Sequence, residues 1–138
     1  MQVSFVLVEP STPENVGAAA RALKTMGFDD LVLITPCDYL SKPARWLANS
    51  SNEILEKARV FSTLKDALSD SDFSVATTAK KRSVKYDYYM LPELPGLISA
   101  KANTIGSVAI VFGREESGLK NSEMKLCDLV STVPLKLT

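Results

Sequence analysis

The residues of this chain best suited to chemistry lie between two glycines, in Gly113-Arg114-Glu115-Glu116-Ser117-Gly118, directly after an apolar run. Residues 108–112 are apolar and rich in β-branched side chains, the pattern of a strand buried on both faces. Glycine permits positive φ and close approach of a ligand to the main chain. The pair therefore brackets a shaped loop at the strand's carboxyl end, where open α/β sheets bind ligands. The glycine spacing reproduces that of a Walker A phosphate loop, but Leu119 stands where that motif needs lysine, with Lys120 and Asn121 displaced by one. Glu115 and Glu116 would also oppose a triphosphate. Nucleotide hydrolysis is thus a distant reading, and the loop is either a ligand loop or an ordinary strand-turn-helix connection with acidic residues facing water.

Two further groups of residues carry chemical potential. Gly17 and Arg21 lie four apart and share one face of a helix whose first turn holds Asn15. In a purely structural reading Asn15 caps the helix, Gly17 allows close packing and Arg21 is solvated. In a functional one Asn15 and Arg21 reach a ligand. Farther on, Lys80, Lys81, Arg82 and Lys85 fall within six positions, followed by Tyr86, Tyr88 and Tyr89. Such cations bind phosphate, and tyrosine rings stack on unpaired bases. The alternative is a solvated loop whose tyrosines pack back on the domain.

Composition narrows the chemistry. The 138 residues contain no histidine, which removes Ser-His-Asp and Cys-His catalysis and the commonest general base near neutral pH. Cys37 and Cys127 lie far apart without CxxC spacing, so a structural zinc is not expected and both read as small apolar residues. Sixteen basic and sixteen acidic residues cancel, so a polyanion must meet a local patch. No stretch approaches the roughly 18 apolar residues of a membrane span, and no signal-type amino terminus is evident. The expectation is a soluble, cytoplasmic protein.

The elements that must position these groups alternate. Strands are expected at residues 3–8, 31–34, 60–61, 73–77, 108–112 and 129–133. Helices are expected at 15–26, between 41 and 58 with Trp46, Leu47, Ile54 and Leu55 as core anchors, at 63–68, at 94–100 and from Asn121 or Ser122. Such alternation argues for an α/β fold, a mostly parallel sheet with helices on both faces. Residues 1–138 read as one domain. The loops after residues 8, 77 and 112 would then share one edge of the sheet.

The residues on that edge resemble a family. Asn15-Val16-Gly17-Ala18-Ala19-Ala20-Arg21 is similar to the first motif of the SPOUT methyltransferases of the TrmH (SpoU) class, and Phe112 to Leu119 resembles their second. Lys24-Thr25-Met26-Gly27 and Ala76-Thr77-Thr78-Ala79-Lys80-Lys81-Arg82 resemble the TrmJ/LasT branch, whose better-known members methylate ribose 2′-hydroxyls of tRNA. The likeness runs over nearly all of the chain. Of the family's third motif, which continues into a trefoil knot, only the opening Val133-Pro134-Leu135 is present before Thr138. The resemblance therefore implies the SPOUT (α/β knot) fold in a longer natural chain, cut at the start of that motif.

The resemblance further implies S-adenosylmethionine as cofactor, without a metal, held by Thr77, Thr78, Ala79, Gly113 and Val133. Arg21 would orient the ribose hydroxyl and stabilise its developing oxyanion, with Asn15 holding substrate or arginine and Glu115 pairing with Arg21 or fixing the loop. RNA, tRNA or rRNA, would meet Lys80, Lys81 and Arg82, in a homodimer with no membrane partner. Methyl transfer from a sulfonium needs no histidine and no metal, only in-line placement. The competing reading is an RNA-binding module of the same fold without catalysis.

Overall fold

The structure, a computed structural model, describes residues 1–78, 88–90 and 106–132, with the backbone alone for 88–90. Its strands are β1 (Gln2–Val8), β2 (Asp30–Ile34), β3 (Arg59–Phe61), β4 (Phe73–Thr78), β5 (Tyr88–Met90), β6 (Ser107–Phe112) and β7 (Leu129–Thr132). The helices are α1 (Pro13–Met26), α2 (Lys42–Ala48), α3 (Asn52–Glu56), α4 (Leu64–Leu68) and α5 (Asn121–Met124), with a 3-10 turn at Asn49–Ser51. The strands form one sheet in the order β3-β2-β1-β6-β4-β7-β5, and every recorded pairing is parallel.

Side-chain alternation along β1 assigns the two faces. Val6 and Val8 are buried with Ala109, Val111, Leu119 and Met124 on one face, against α4 and α5. Phe5 and Leu7 point the other way, where Val16, Ala20 and Leu23 of α1 and Ala44 and Ala48 of α2 form a second core. Two apolar layers on one sheet are what a parallel sheet requires.

Local chemistry sets the limits of α1. Pro13 opens it, where a missing N–H costs nothing, and Gly27 closes it at φ 86 with its N–H on the carbonyls of Leu23 and Lys24. Gly17 meets α2 so closely that a Cβ there would lie 2.0 Å from the Ala44 carbonyl oxygen. Helix α2 therefore approaches through Ala44 and Ala48, both fully buried.

That approach corrects one expectation. Trp46 is not a core anchor: two residues from both alanines, it lies on the outer side of α2 and is 84% exposed. Leu47 is only half-buried, whereas Ile54 and Leu55 are core as expected. Residues 88–90, where no strand was expected, form a short edge strand paired with β7, and tyrosine favours such a place. Ile110 and Phe112 are half-buried, so β6 is less enclosed than its apolar run suggested. The helix expected at 94–100 lies outside the described residues.

Candidate active site

The strand order brings the decisive loops together. Strand β1 pairs with β2 on one side and β6 on the other, so the chain's winding reverses there and leaves a crevice beyond the strand ends. Leu7 stands in register with Phe112, which places the loop after β1 beside the loop after β6. Strands β4 and β7 follow next in the sheet, Thr78 in register with Thr132.

The loop after β6 folds as a tight turn. Arg114 N–H donates to the Gly118 carbonyl at 3.2 Å, and Gly118 N–H donates back at 2.9 Å. Gly118 sits at φ 69, and a Cβ on Gly113 would lie 2.3 Å from the Gly118 carbonyl carbon. Both glycines are thus required by the turn itself. It presents Glu115 across the crevice, where the carboxylate accepts the N–H of Ser11 at 3.2 Å and of Thr12 at 3.1 Å, plus the Ser11 hydroxyl at 3.2 Å. The Asn15 side chain lies near enough to the same carboxylate to favour its charged form. Thr12 makes no side-chain cap to α1, and to Glu14 in its own first turn the helix start adds the carboxylate of Glu115, 103 positions from Thr12. Partial burial pushes the Glu115 carboxyl up, but hydrogen bonds from its own backbone, Ser11 and Thr12, together with the nearby Asn15 side chain, outweigh it and hold the group below the ordinary glutamate range.

Arg114, beside it, points into a different set of contacts. Its guanidinium grips Glu123 with two bonds of 2.8 and 2.9 Å, reaches Glu9 at 2.9 Å and donates to the Gly118 carbonyl at 3.1 Å. The carboxylates, Glu123 first, raise the arginine pKa further above its ordinary value. Arg114 in turn holds Glu9 and Glu123 below theirs. Neither Glu9 nor Glu123 carried a functional signal in the sequence. Only the pairing of a glutamate with Pro10 at a strand end marked the first of them.

Of the expected site residues, Asn15 and Glu115 are brought together. Arg21 lies six residues beyond Asn15, roughly 9 Å along the helix, and faces solvent in a groove of about 350 Å³ lined also by Ala18, Ala22, Thr25, Met26 and Leu47. Among the described residues it makes no ion pair, with Glu115 or any other carboxylate. Phe112, just before the glutamate loop, lines an adjacent apolar groove with Ala19 and Ala22 of the same helix.

Thr77 is buried at the end of β4, its hydroxyl donating to the Val111 carbonyl at 2.9 Å, and Thr78 is buried beside it. Ser131, in register with Thr77 on β7, is fully buried and its hydroxyl has no hydrogen-bond partner among the described residues. A buried hydroxyl without a partner is costly unless a ligand or water meets it. It marks the carboxyl ends of β4 and β7 as fitting a polar ligand. Sequence reading passed over it because one serine in a strand has no distinguishing pattern. Ala79, Lys80, Lys81, Arg82 and Val133 lie outside the described residues.

Other chemistry is poorly supplied. Burial pushes the Cys127 thiol up to about 11 and raises that of Cys37, so neither is a ready thiolate near neutral pH. Among the described residues no cluster of His, Cys, Asp or Glu has the makings of a metal site, and no helix is long and apolar enough to cross a membrane.

Three depressed carboxyls at this edge, Glu9, Glu115 and Glu123, make a prediction about pH that rests chiefly on Glu123, since a pair as exposed as that of Glu9 contributes little. Each has an ordinary value of 4.5 and is lower in the folded protein. Such a group adds stability that is fully present above its unfolded pKa and disappears as pH falls through its folded pKa. The melting temperature should hold from about pH 7 to about pH 5 and then fall toward about pH 3. Circular dichroism melts of Glu123→Gln should show a shallower acid-side slope than wild type. Equal slopes would take Glu123 out of this linkage.

Comparison with known proteins identifies the family. Residues 2–137 match the model of the SpoU rRNA Methylase family. The chain is 46% identical over 136 residues to the uncharacterised tRNA/rRNA methyltransferase LasT of Escherichia coli K12, covering 98% of this chain and 59% of that protein. It is 36% identical to the tRNA (cytidine/uridine/adenosine-2′-O-)-methyltransferase TrmJ of Pseudomonas aeruginosa, covering 96% of this chain and 52% of that one. A crystal structure of a probable methyltransferase from Bordetella pertussis Tohama I superposes with a TM-score of 0.90 at 38% identity, over 98% of this chain and 82% of that one. The chain thus spans between about half and three-fifths of the curated relatives named here.

Proposed function

The chain belongs to the SpoU rRNA Methylase family, and from that membership we propose that it forms the methyltransferase domain of an enzyme that methylates a ribose 2′-hydroxyl of RNA, with tRNA preferred to rRNA as substrate. The observation that carries this reading is the contact of Glu115 with Ser11 and Thr12, which joins the glycine-bounded loop to the start of α1 at the carboxyl edge of the sheet.

S-adenosylmethionine supplies an electrophilic methyl group on a sulfonium when bound. In this reading Thr77 and Thr78 at the end of β4, Ala79 following them, Gly113 after β6 and Val133 after β7 hold it, and the Ser131 hydroxyl, unpartnered among the described residues, fits a polar ligand at the same edge. Asn15, close to Glu115, holds the substrate. Arg21 orients the ribose hydroxyl and stabilises the negative charge that develops on its oxygen. A guanidinium offers donors and no acceptor, so Arg21 orients the hydroxyl and the proton passes to water.

The distance of Arg21 from the glutamate loop within one subunit favours a homodimer, in which a neighbouring copy completes the crevice. The apolar groove of Phe5, Leu7, Ala19, Leu31 and Phe112, with Met26 57% exposed at its rim, is the surface such a copy would cover. Lys80, Lys81 and Arg82 contact RNA phosphates in a cytoplasmic setting.

The test is calorimetric titration of the full-length protein with S-adenosylmethionine, followed by transfer of a labelled methyl to a tRNA mixture. Donor binding and labelled ribose are expected. With three phosphate contacts, tRNA affinity should fall roughly 20- to 40-fold between about 50 and about 200 mM salt, and neutralising Lys80, Lys81 and Arg82 should flatten that dependence. RNA binding without transfer would leave the non-catalytic module of the same fold.

A further inference from the structure

We infer that the ion pair of Glu9 with Arg114 is a positioning contact, which clamps the segment after β1 to the glutamate loop so that Ser11, Thr12 and the start of α1 hold one arrangement. Its catalytic consequence rests on the methyl-transfer reading above.

Glu9 is an odd place for a glutamate. It adopts φ 47, in the left-handed region that favours glycine, at the first position beyond β1. Its N–H is fixed on the Ile34 carbonyl at 2.8 Å, so the kink belongs to the sheet's edge and not to a free loop. Residues kept in such conformations cluster at sites where the strain is part of the mechanism. Nor does the ion pair explain the residue through stability. The Glu9 side chain is 49% exposed, and pairs at that exposure contribute little to folding. By contrast, Glu123 and Arg114 are each 15% exposed and joined by two bonds, which makes them the structural half of the fork.

The geometry shows what Glu9 adds. Residues 114 and 115 reach the same segment at two points: Arg114 takes the Glu9 carboxylate, and Glu115 takes the amides of Ser11 and Thr12. Backbone bonds already tie the segment to the neighbouring strand's end, Glu9 N–H to the Ile34 carbonyl and Cys37 N–H to the Pro10 carbonyl at 3.0 Å, but neither of them ties it to the glutamate loop. Two contacts from adjacent residues fix both its position and its direction, and with it the axis on which Asn15 and Arg21 ride.

The experiment compares Glu9→Gly and Glu9→Gln with wild type in the full-length protein. Glycine adopts φ 47 without penalty, so Glu9→Gly should melt at the wild-type temperature or roughly 2–4 °C above it. Its kcat for methyl transfer should nevertheless fall about tenfold, a rate change worth about 1.4 kcal/mol of barrier. KM for donor and RNA should stay within about twofold, since the contact orients groups and does not bind substrate. Glu9→Gln, which keeps the strain and loses the charge, should lose kcat likewise. Hydrogen exchange of the Ser11 and Thr12 amides, measured without donor or RNA, should accelerate in both variants.

Unchanged exchange in both variants would overturn the clamp whatever the activity. Faster exchange with wild-type kcat would overturn its part in the reaction. If wild type transfers no methyl while exchange still accelerates in the variants, the proposed reaction falls and the clamp stands. An activity loss that merely follows a lowered melting temperature would reduce Glu9 to a structural residue.

Discussion

Arg21→Ala is expected to slow methyl transfer about 10²- to 10³-fold while leaving the fold intact. The magnitude follows from the role. A preorganised donor aimed at charge that develops only in the transition state is worth roughly 3–4 kcal/mol of barrier. The intact fold follows from the placement. Arg21 is exposed, makes no side-chain ion pair among the described residues and lies across α1 from the buried Val16, Ala20 and Leu23. Surface substitutions of that kind stay within about 0.5 kcal/mol of wild type. The measurement is single-turnover transfer of labelled methyl at saturating RNA, with tRNA affinity and melting temperature taken on the same samples. Arg21→Lys should recover only part of the rate, because an ammonium carries the charge without the planar fork of donors. Wild-type turnover in Arg21→Ala with normal RNA binding would remove this residue from the mechanism.

Gly17→Ala is expected to destabilise the protein although intrinsic preference predicts the reverse. In an isolated helix alanine is favoured over glycine by about 0.8–1 kcal/mol. Here the added Cβ would sit 2.0 Å from the Ala44 carbonyl oxygen and 2.9 Å from its carbon, and both belong to backbone. No side-chain rotation relieves such an overlap, so α2 must move away from α1 and open the layer that Ala44, Ala48 and Leu55 fill. Overpacking of this kind costs typically 1–3 kcal/mol, and the geometry places this site at the upper end. A net loss of about 2 kcal/mol corresponds to a melting temperature roughly 6–10 °C lower for a chain of this length. Thermal melts decide it. A variant melting at or above wild type would mean that α1 and α2 do not approach as closely as Gly17 implies.

The two substitutions also separate what a sequence displays from what it conceals. Gly17 looked locally unfavourable in the sequence, and that penalty pointed to something packed against it. Arg21 and Asn15 were picked out by helical spacing and by resemblance to a family motif. Trp46 misled for the opposite reason. A large aromatic in an amphipathic stretch reads as an anchor, but α2 is held to α1 by two alanines that carry almost no hydrophobic signal, and the tryptophan lies on the other side. The short strand at 88–90 was hidden within a segment of charges and tyrosines where no strand was expected.

By itself the sequence determined the alternation of strands and helices, the glycine-bounded turn and the end of α1 at Gly27, because periodicity and glycine act within a few residues of themselves, whereas α1 starts at Pro13, two residues before the expected position 15. It also determined that histidine and clustered cysteine chemistry are absent. Only the tertiary structure decided that Glu115 closes on the start of α1, that Arg114 divides itself between Glu9 and Glu123, and that Ser131 is buried without a partner among the described residues. Those contacts depend on β6 lying between β1 and β4. Strand order is chosen by how all the apolar faces bury together, so no local stretch of the chain records it.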